Sequence, residues 1–192
     1  MNQIYALLDR ELIRQSGLEI SEIARQLEKL RIPVAQYRDK EGSSARIYEA
    51  LSQLRQFYSG TLIVNDRLDL VELADGVHLG QEDLAAVDSA PAKALGKIRE
   101  RIGRKLLGLS THNLQEIETA NTLDLDYIGL GAYRPTSTKS DAEVQGDTLL
   151  RIARASRHPV AIIGGVRWED EFEEPIRWKV LGSALFERIR HP

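Results

Sequence analysis

Leu62-Ile63-Val64-Asn65-Asp66-Arg67-Leu68-Asp69 and, a few residues on, Asp75-Gly76-Val77-His78-Leu79-Gly80-Gln81-Glu82-Asp83 decide how the rest of the chain is read. Each is a short apolar run that stops at amide and acidic side chains. Apolar runs of this length read as buried parallel strands. In α/β proteins the residues just after such strands are the ones that meet ligands. A strand–helix–strand repeat brings Asp66 and Asp83 together although they are far apart in sequence. Two carboxylates at neighbouring strand ends suit Mg²⁺, a hard cation that takes oxygen ligands and bridges to substrate phosphates. Helix capping is the competing explanation, since Asn and Asp are favoured N-caps. For Asp66 alone the two balance, and the pairing with Asp83 favours the metal.

The same alternation runs through the chain. Apolar runs at 4–8, 33–37, 61–65, 76–79, 105–109, 127–130, 160–163 and 179–181 predict strands. Helix-period segments at 18–30, 43–58, 68–73, 84–102, 113–121, 147–156, 168–173 and 183–189 lie between or after them. Alternating strands and helices predict a parallel sheet, and about eight such units a (β/α)₈ barrel. An open doubly wound sheet is the other α/β arrangement open to this pattern. With 192 residues the chain sits at the compact end for a barrel, and one domain over 1–192 is expected.

Composition narrows the function classes. The net charge of −3 leaves no general nucleic-acid footprint, so basic residues must act locally. The absence of cysteine excludes disulfides and thiolate metal sites. No apolar run approaches the roughly 20 residues needed to span a bilayer. The chain enters a strand pattern directly after Met1-Asn2-Gln3 without a signal-peptide shape, so a cytoplasmic protein is expected.

A barrel demands that functional residues follow strands. After the second strand, alternation points Gln36, Arg38 and Lys40 to one side, which implies an anionic guest. Asn65, Asp66, Gln81 and Asp83 follow the third and fourth strands. His78 lies inside a strand and reads as a satisfied core group. Ser110 ends the fifth strand, and Thr111 and Asn113 read as capping residues. No acidic partner in that segment completes a hydrolytic triad with Ser110 and His112. The sixth strand leads into Ala132-Tyr133-Arg134-Pro135-Thr136-Ser137-Thr138-Lys139, whose hydroxyls and lysine suit a phosphate. Gly164-Gly165 and Gly182-Ser183 follow the last two strands, where barrels often bind phosphate. The sum is a diphosphate subsite with metal carboxylates and a second, glycine-lined subsite for a monophosphate.

These pieces, in this order across nearly the whole chain, resemble the thiamine phosphate synthase family, with the run from Asp75 to Asp83 the most specific of them. The resemblance implies a (β/α)₈ barrel and a transferase. The enzymes join hydroxymethylpyrimidine diphosphate to a thiazole phosphate, giving thiamine phosphate and diphosphate. It also implies Mg²⁺ as cofactor, small-molecule substrates, no nucleic-acid or membrane partner, and a homodimer. Carried over residue by residue, Gln36 orients the pyrimidine. Arg38, Lys40, Asn65 and Lys139 hold the diphosphate, with Ser110 hydrogen-bonding near it. Asp66 and Asp83 bind Mg²⁺. Thr136, Thr138, Gly165 and Ser183 cradle the thiazole and its phosphate. Arg38, Lys40, Ser110 and Lys139 form the implied catalytic set. The implied reaction is dissociative: diphosphate leaves first, and the thiazole nitrogen attacks a pyrimidine-stabilised methylene cation.

Two related outcomes remain distinct from the synthase. A thiazole tautomerase shares the barrel but lacks the metal set, and it tends to carry a histidine where this chain has Ala132. A non-catalytic phosphate-ligand barrel is suggested by the short helices and by the acidic tract 167–175. Arg134 also stands where the family commonly has an apolar aromatic.

Overall fold

Eight strands form in the computed structural model, which describes residues 2–135 and 146–190. They are β1 (Gln3–Asp9), β2 (Val34–Arg38), β3 (Thr61–Asn65), β4 (Gly76–Leu79), β5 (Leu106–Thr111), β6 (Tyr127–Leu130), β7 (Val160–Ile162) and β8 (Ile176–Leu181). Each pairs in parallel with the next. The pairing of Gln3 with Trp178 and Ala6 with Leu181 joins β1 to β8. That closure makes the sheet the expected (β/α)₈ barrel and excludes the open sheet.

Strand alternation divides the apolar residues into two cores. Tyr5, Leu7, Ile63, Tyr127, Ala161 and Val180 fill the barrel interior. Ala6, Leu8, Ala35, Tyr37, Leu62, Val64 and their neighbours face the surrounding helices. The chain therefore needs apolar residues on both faces of its strands, which is why they read as continuous apolar runs.

The helices are α1 (Arg10–Ser16), α2 (Ile20–Lys29), α3 (Ser44–Phe57), α4 (Gln81–Val87), α5 (Pro91–Ile102), α6 (Leu114–Ala120), α7 (Asp147–Ala153) and α8 (Ser183–Arg190). A 3₁₀ helix (Leu68–Leu73) takes the place of a full helix between β3 and β4. None of the described helices is long and apolar enough to cross a membrane.

Three expectations change. Helix α1 was not foreseen. Asp9, at the end of β1, caps it by accepting from the Glu11 N–H at 3.0 Å. The segment 84–102 is not one helix: it breaks after Val87, and α5 restarts with Pro91 in its first turn. Proline has no N–H to continue a helix but fits its start.

The third change is at 168–173, which forms no helix, and β8 begins at Ile176 rather than 179. The backbone there is captured by side chains instead. The buried Lys179 ammonium donates to the carbonyls of Trp168 and Asp170 at 2.6 and 2.7 Å. Asn2 accepts from the Phe172 N–H at 2.7 Å, and the Trp168 indole donates to the Ala184 carbonyl at 2.9 Å. With only Trp168 and Phe172 apolar among residues 168–174, the tract also offers too narrow an apolar stripe for a packed helix.

Candidate active site at the carboxyl mouth of the barrel

The carboxyl ends of the strands open into one cavity. Arg38, Lys40, Asn65, Asp66 and Ser110 line one part of it, and Gly164, Gly165, Gly182 and Ser183 another. Gln36 and His78 also line it, and both are buried. The alternation inferred for Gln36, Arg38 and Lys40 is thus observed: all three reach the same space.

The β2 end is built to present cations. Arg38 forms an ion pair with the buried Asp9 carboxylate, which fixes the guanidinium across the β1–β2 pairing. Asp39, between the two cationic residues, turns away. It accepts two bonds from Arg46 of α3, at 2.8 and 3.1 Å, and so does not neutralise Arg38 or Lys40. Asn65 accepts from the Gln36 amide at 2.7 Å.

Asp66 follows with φ of 60°, a left-handed conformation that an aspartate tolerates better than a bulky residue. Its N–H donates to the His78 carbonyl at 2.9 Å, which pins the turn to β4. Asp66 does not cap the 3₁₀ helix, whose N-cap is Arg67. Asp83 lies in the first turn of α4, where one carboxylate oxygen accepts from the Gly80 N–H at 2.8 Å. Capping therefore accounts for part of Asp83. Burial, then the Asp83 charge and a hydrogen bond to Asp83, push the Asp66 carboxyl up to about 7. Lys40 and Arg38 act in the opposite direction but do not cancel the effect.

Beneath the mouth runs a continuous polar chain. The Tyr5 hydroxyl donates to Gln36 Oε1 at 2.7 Å and meets the Tyr127 hydroxyl at 2.8 Å. Tyr127 meets His78 Nδ1 at 3.1 Å, and His78 Nε2 lies 3.0 Å from Ser110 Oγ. Two glycines make room for these rings. A Cβ on Gly108 would sit 2.2 Å from the Tyr127 ring, and one on Gly129 would sit 2.9 Å from His78 Cε1. Burial pushes His78 down to about 4, so it is neutral near pH 7. His78 is satisfied, as its sequence position suggests, but it also lines the cavity. Tyr5 and Tyr127, which also line it, were not singled out from sequence. Their signal is a phenolic ring at an inward-facing strand position, in line with Leu7 on β1 and Gly129 on β6. Thr111 is not a helix cap: its hydroxyl donates to the Gly129 carbonyl at 3.0 Å. Asn113 does cap α6, accepting from the Glu116 N–H.

The glycine side is shaped by close backbone approach. Gly165 has φ of 58°, and a Cβ there would lie 2.7 Å from Arg134 Cβ and 2.9 Å from the Pro135 carbonyl oxygen. Its own carbonyl accepts from Arg134 at 3.0 Å. Ser183 opens α8 directly after Gly182. Thr136, Thr138 and Lys139 lie outside the described residues.

The donor set fits Mg²⁺. This ion is commonly held by one or two carboxylates, with waters and substrate phosphates filling the remaining positions. Asp66 and Asp83 are close enough that one raises the other's proton affinity, a repulsion that a divalent cation would relieve. Among the described residues no group of three or more His, Cys, Asp or Glu could hold a metal, so an all-protein cage is not formed there.

A parallel barrel whose mouth sets cations and paired carboxylates opposite a glycine-rich edge defines a barrel protein of small-molecule ligands. The chain belongs to the thiamine monophosphate synthase family, whose match extends over residues 4–189. It is 37% identical over 169 residues to a thiamine-phosphate synthase of Persephonella marina, covering 85% of this chain and 76% of that protein. It is 35% identical over 195 residues to the thiamine-phosphate synthase of Lawsonia intracellularis, with coverages of 97% and 84%. The solved structure of a thiamine phosphate pyrophosphorylase from Pyrococcus furiosus superposes with a TM-score of 0.75 at 26% identity. That superposition covers 98% of this chain and 95% of the other.

Proposed function

We propose that this chain is a transferase that couples hydroxymethylpyrimidine diphosphate with thiazole phosphate to give thiamine phosphate and diphosphate. One observation carries the assignment: the strand-end residues Arg38, Lys40, Asn65 and Asp66 and the glycine edge Gly164, Gly165, Gly182 and Ser183 line a single cavity. A diphosphate on the first set and a monophosphate on the second would bring two phosphorylated substrates together in one space.

In this reading the main demand is to stabilise the charge that gathers on the leaving diphosphate. Arg38, held by Asp9, and Lys40 meet that charge, joined by Lys139 from the β6–α7 segment. Asn65 contributes amide donors, and Asp66 and Asp83 hold Mg²⁺. When bound, the cation would neutralise leaving-group charge as a Lewis acid. Gln36 holds the pyrimidine, and Ser110 hydrogen-bonds near the diphosphate. Thr136, Thr138, Gly165 and Ser183 hold the thiazole phosphate, keeping its nitrogen in line with the departing bond. No general base is needed, in keeping with a neutral His78 committed to Tyr127 and Ser110. A single domain, a cytoplasmic location and a homodimer complete the proposal.

The test is to mix purified protein, Mg²⁺ and both substrates, and read thiamine phosphate after oxidation to its fluorescent form. Product above a protein-free control is expected. Bound diphosphate substrate without product would instead assign a binding barrel.

A further inference from the structure

We infer that Tyr5, Tyr127 and His78 form a one-way hydrogen-bond relay that orients the Gln36 amide and leaves Ser110 facing the substrate as an acceptor. They are positioning residues for the pyrimidine half of the proposed reaction, and in that respect the inference rests on the proposed function.

The relay follows from counting protons. Each hydroxyl carries one proton, and a neutral imidazole carries one N–H. Gln36 donates its Nε2 to Asn65 Oδ1, so its Oε1 faces Tyr5 and accepts the Tyr5 proton. Tyr5 has no second proton, so the 2.8 Å contact with Tyr127 requires Tyr127 to donate. Tyr127 is then spent, and the 3.1 Å contact requires His78 Nδ1 to carry the imidazole proton. His78 Nε2 must therefore accept, and the 3.0 Å contact to Ser110 takes the serine proton. One amide orientation thus dictates every proton from Asn65 on β3 to Ser110 on β5. The reverse order would need the Gln36 amide turned over. All of these side chains but Asn65 and Ser110 are buried, and every contact in the relay is direct, so no water is needed to complete it.

Two consequences reach the cavity. Gln36 keeps one free N–H and one free carbonyl lone pair, a donor beside an acceptor. That pair matches the amidine edge of an aminopyrimidine, an acceptor nitrogen beside an amino donor. It mismatches the 4-oxo analogue, which presents the reverse order. Ser110, with its proton turned to His78, offers only lone pairs. Near the diphosphate it therefore pairs with a substrate N–H rather than donating to a phosphate oxygen itself.

The first measurement is the His78 tautomer, read from long-range ¹H–¹⁵N correlation spectra of the labelled protein. The signals are assigned by substituting His112, His158 and His191 in turn. A protonated Nδ1 and a bare Nε2 are expected. A protonated Nε2, or a mixture of the two forms, overturns the relay whether or not the protein turns over. The second measurement is the kinetics of Tyr127→Phe, which cuts the relay in the middle. KM for the pyrimidine diphosphate should rise about tenfold and discrimination against the 4-oxo analogue should fall about tenfold, while KM for the thiazole phosphate stays unchanged. Equal changes toward both substrates, or unchanged discrimination, would reduce Tyr127 to a packing residue. Absence of thiamine phosphate with wild-type protein would refute the proposed function and leave the tautomer to be judged on its own.

Discussion

Arg134 grips Asp170 with both terminal guanidinium nitrogens, at 2.5 and 3.0 Å, and so ties the segment after β6 to the helix-free loop between β7 and β8. The same guanidinium holds the Gly165 carbonyl and stacks over the Tyr133 ring, 4.4 Å from its centroid. Bidentate Arg–carboxylate pairs fix geometry as well as adding energy. The clamp therefore substitutes for the missing helix in holding the glycine edge. Replacing Arg134 with alanine should raise KM for thiazole phosphate several-fold and leave KM for the pyrimidine diphosphate alone. Steady-state kinetics with each substrate varied in turn would show it, and a change confined to the pyrimidine side would refute the clamp.

The paired carboxylates give a second expectation. Asp83→Asn keeps an oxygen able to accept from the Gly80 N–H but removes the charge. Turnover should fall at least about 100-fold, with the melting temperature within a few degrees of wild type. Near-normal turnover of this variant at low Mg²⁺ would remove Asp83 from the metal site.

The carboxyl of Asp66 titrates near 7 in the metal-free protein, against 3.8 for a free side chain. Between those values the folded state holds a proton that the unfolded state has lost. Stability from this group is therefore full below about 3.8 and is lost as pH rises through about 7. Metal-free protein should gain thermal stability on Mg²⁺ addition, more at pH 8 than at pH 6 because the ion must displace the proton at the lower pH. Melting curves with and without Mg²⁺ at both values would check this, and Asp66→Asn should abolish the gain.

His78 has the opposite sign. Its folded-state pKa of about 4 lies below the usual 6.5, so the unfolded chain binds the extra proton between them. Stability is full above about 6.5 and falls as the pH drops toward 4, by on the order of 3 kcal/mol. His78→Gln should make the acid limb of the stability curve shallower by that order in urea titrations. An unchanged acid limb would mean that His78 is solvated.

The anion-binding cations give a further expectation. Lys40→Ala should raise KM for the pyrimidine diphosphate and lower turnover, at least about tenfold in kcat/KM, because the residue meets the leaving group. Lys139→Ala should do the same. An unchanged rate in either variant would take that residue out of the diphosphate subsite.

The barrel and its polar strand ends were legible because two periodicities agreed. Apolar runs such as Leu62-Ile63-Val64 are buried on both faces, and the residues that break them, Asn65 and Asp66, fall where the strand leaves the sheet. Gln36, Arg38 and Lys40 could be assigned to one side because strand alternation is strict. The helix-free tract at 168–173 was not legible, because its conformation is set by Lys179 and Arg134, which lie outside it in sequence. The break before Pro91 was visible in principle from the proline. The Tyr5–Tyr127–His78 chain was hidden for another reason: its members lie on β1, β6 and β4, and only closure of the barrel brings them into contact.

The most direct test of the synthase reading counts both products in one reaction. Diphosphate released and thiamine phosphate formed should appear in equal amounts, stop together when the metal is chelated, and resume together when Mg²⁺ is restored. Diphosphate released without thiamine phosphate, or equal product formation that ignores the chelator, would contradict the coupling and the metal assignment respectively.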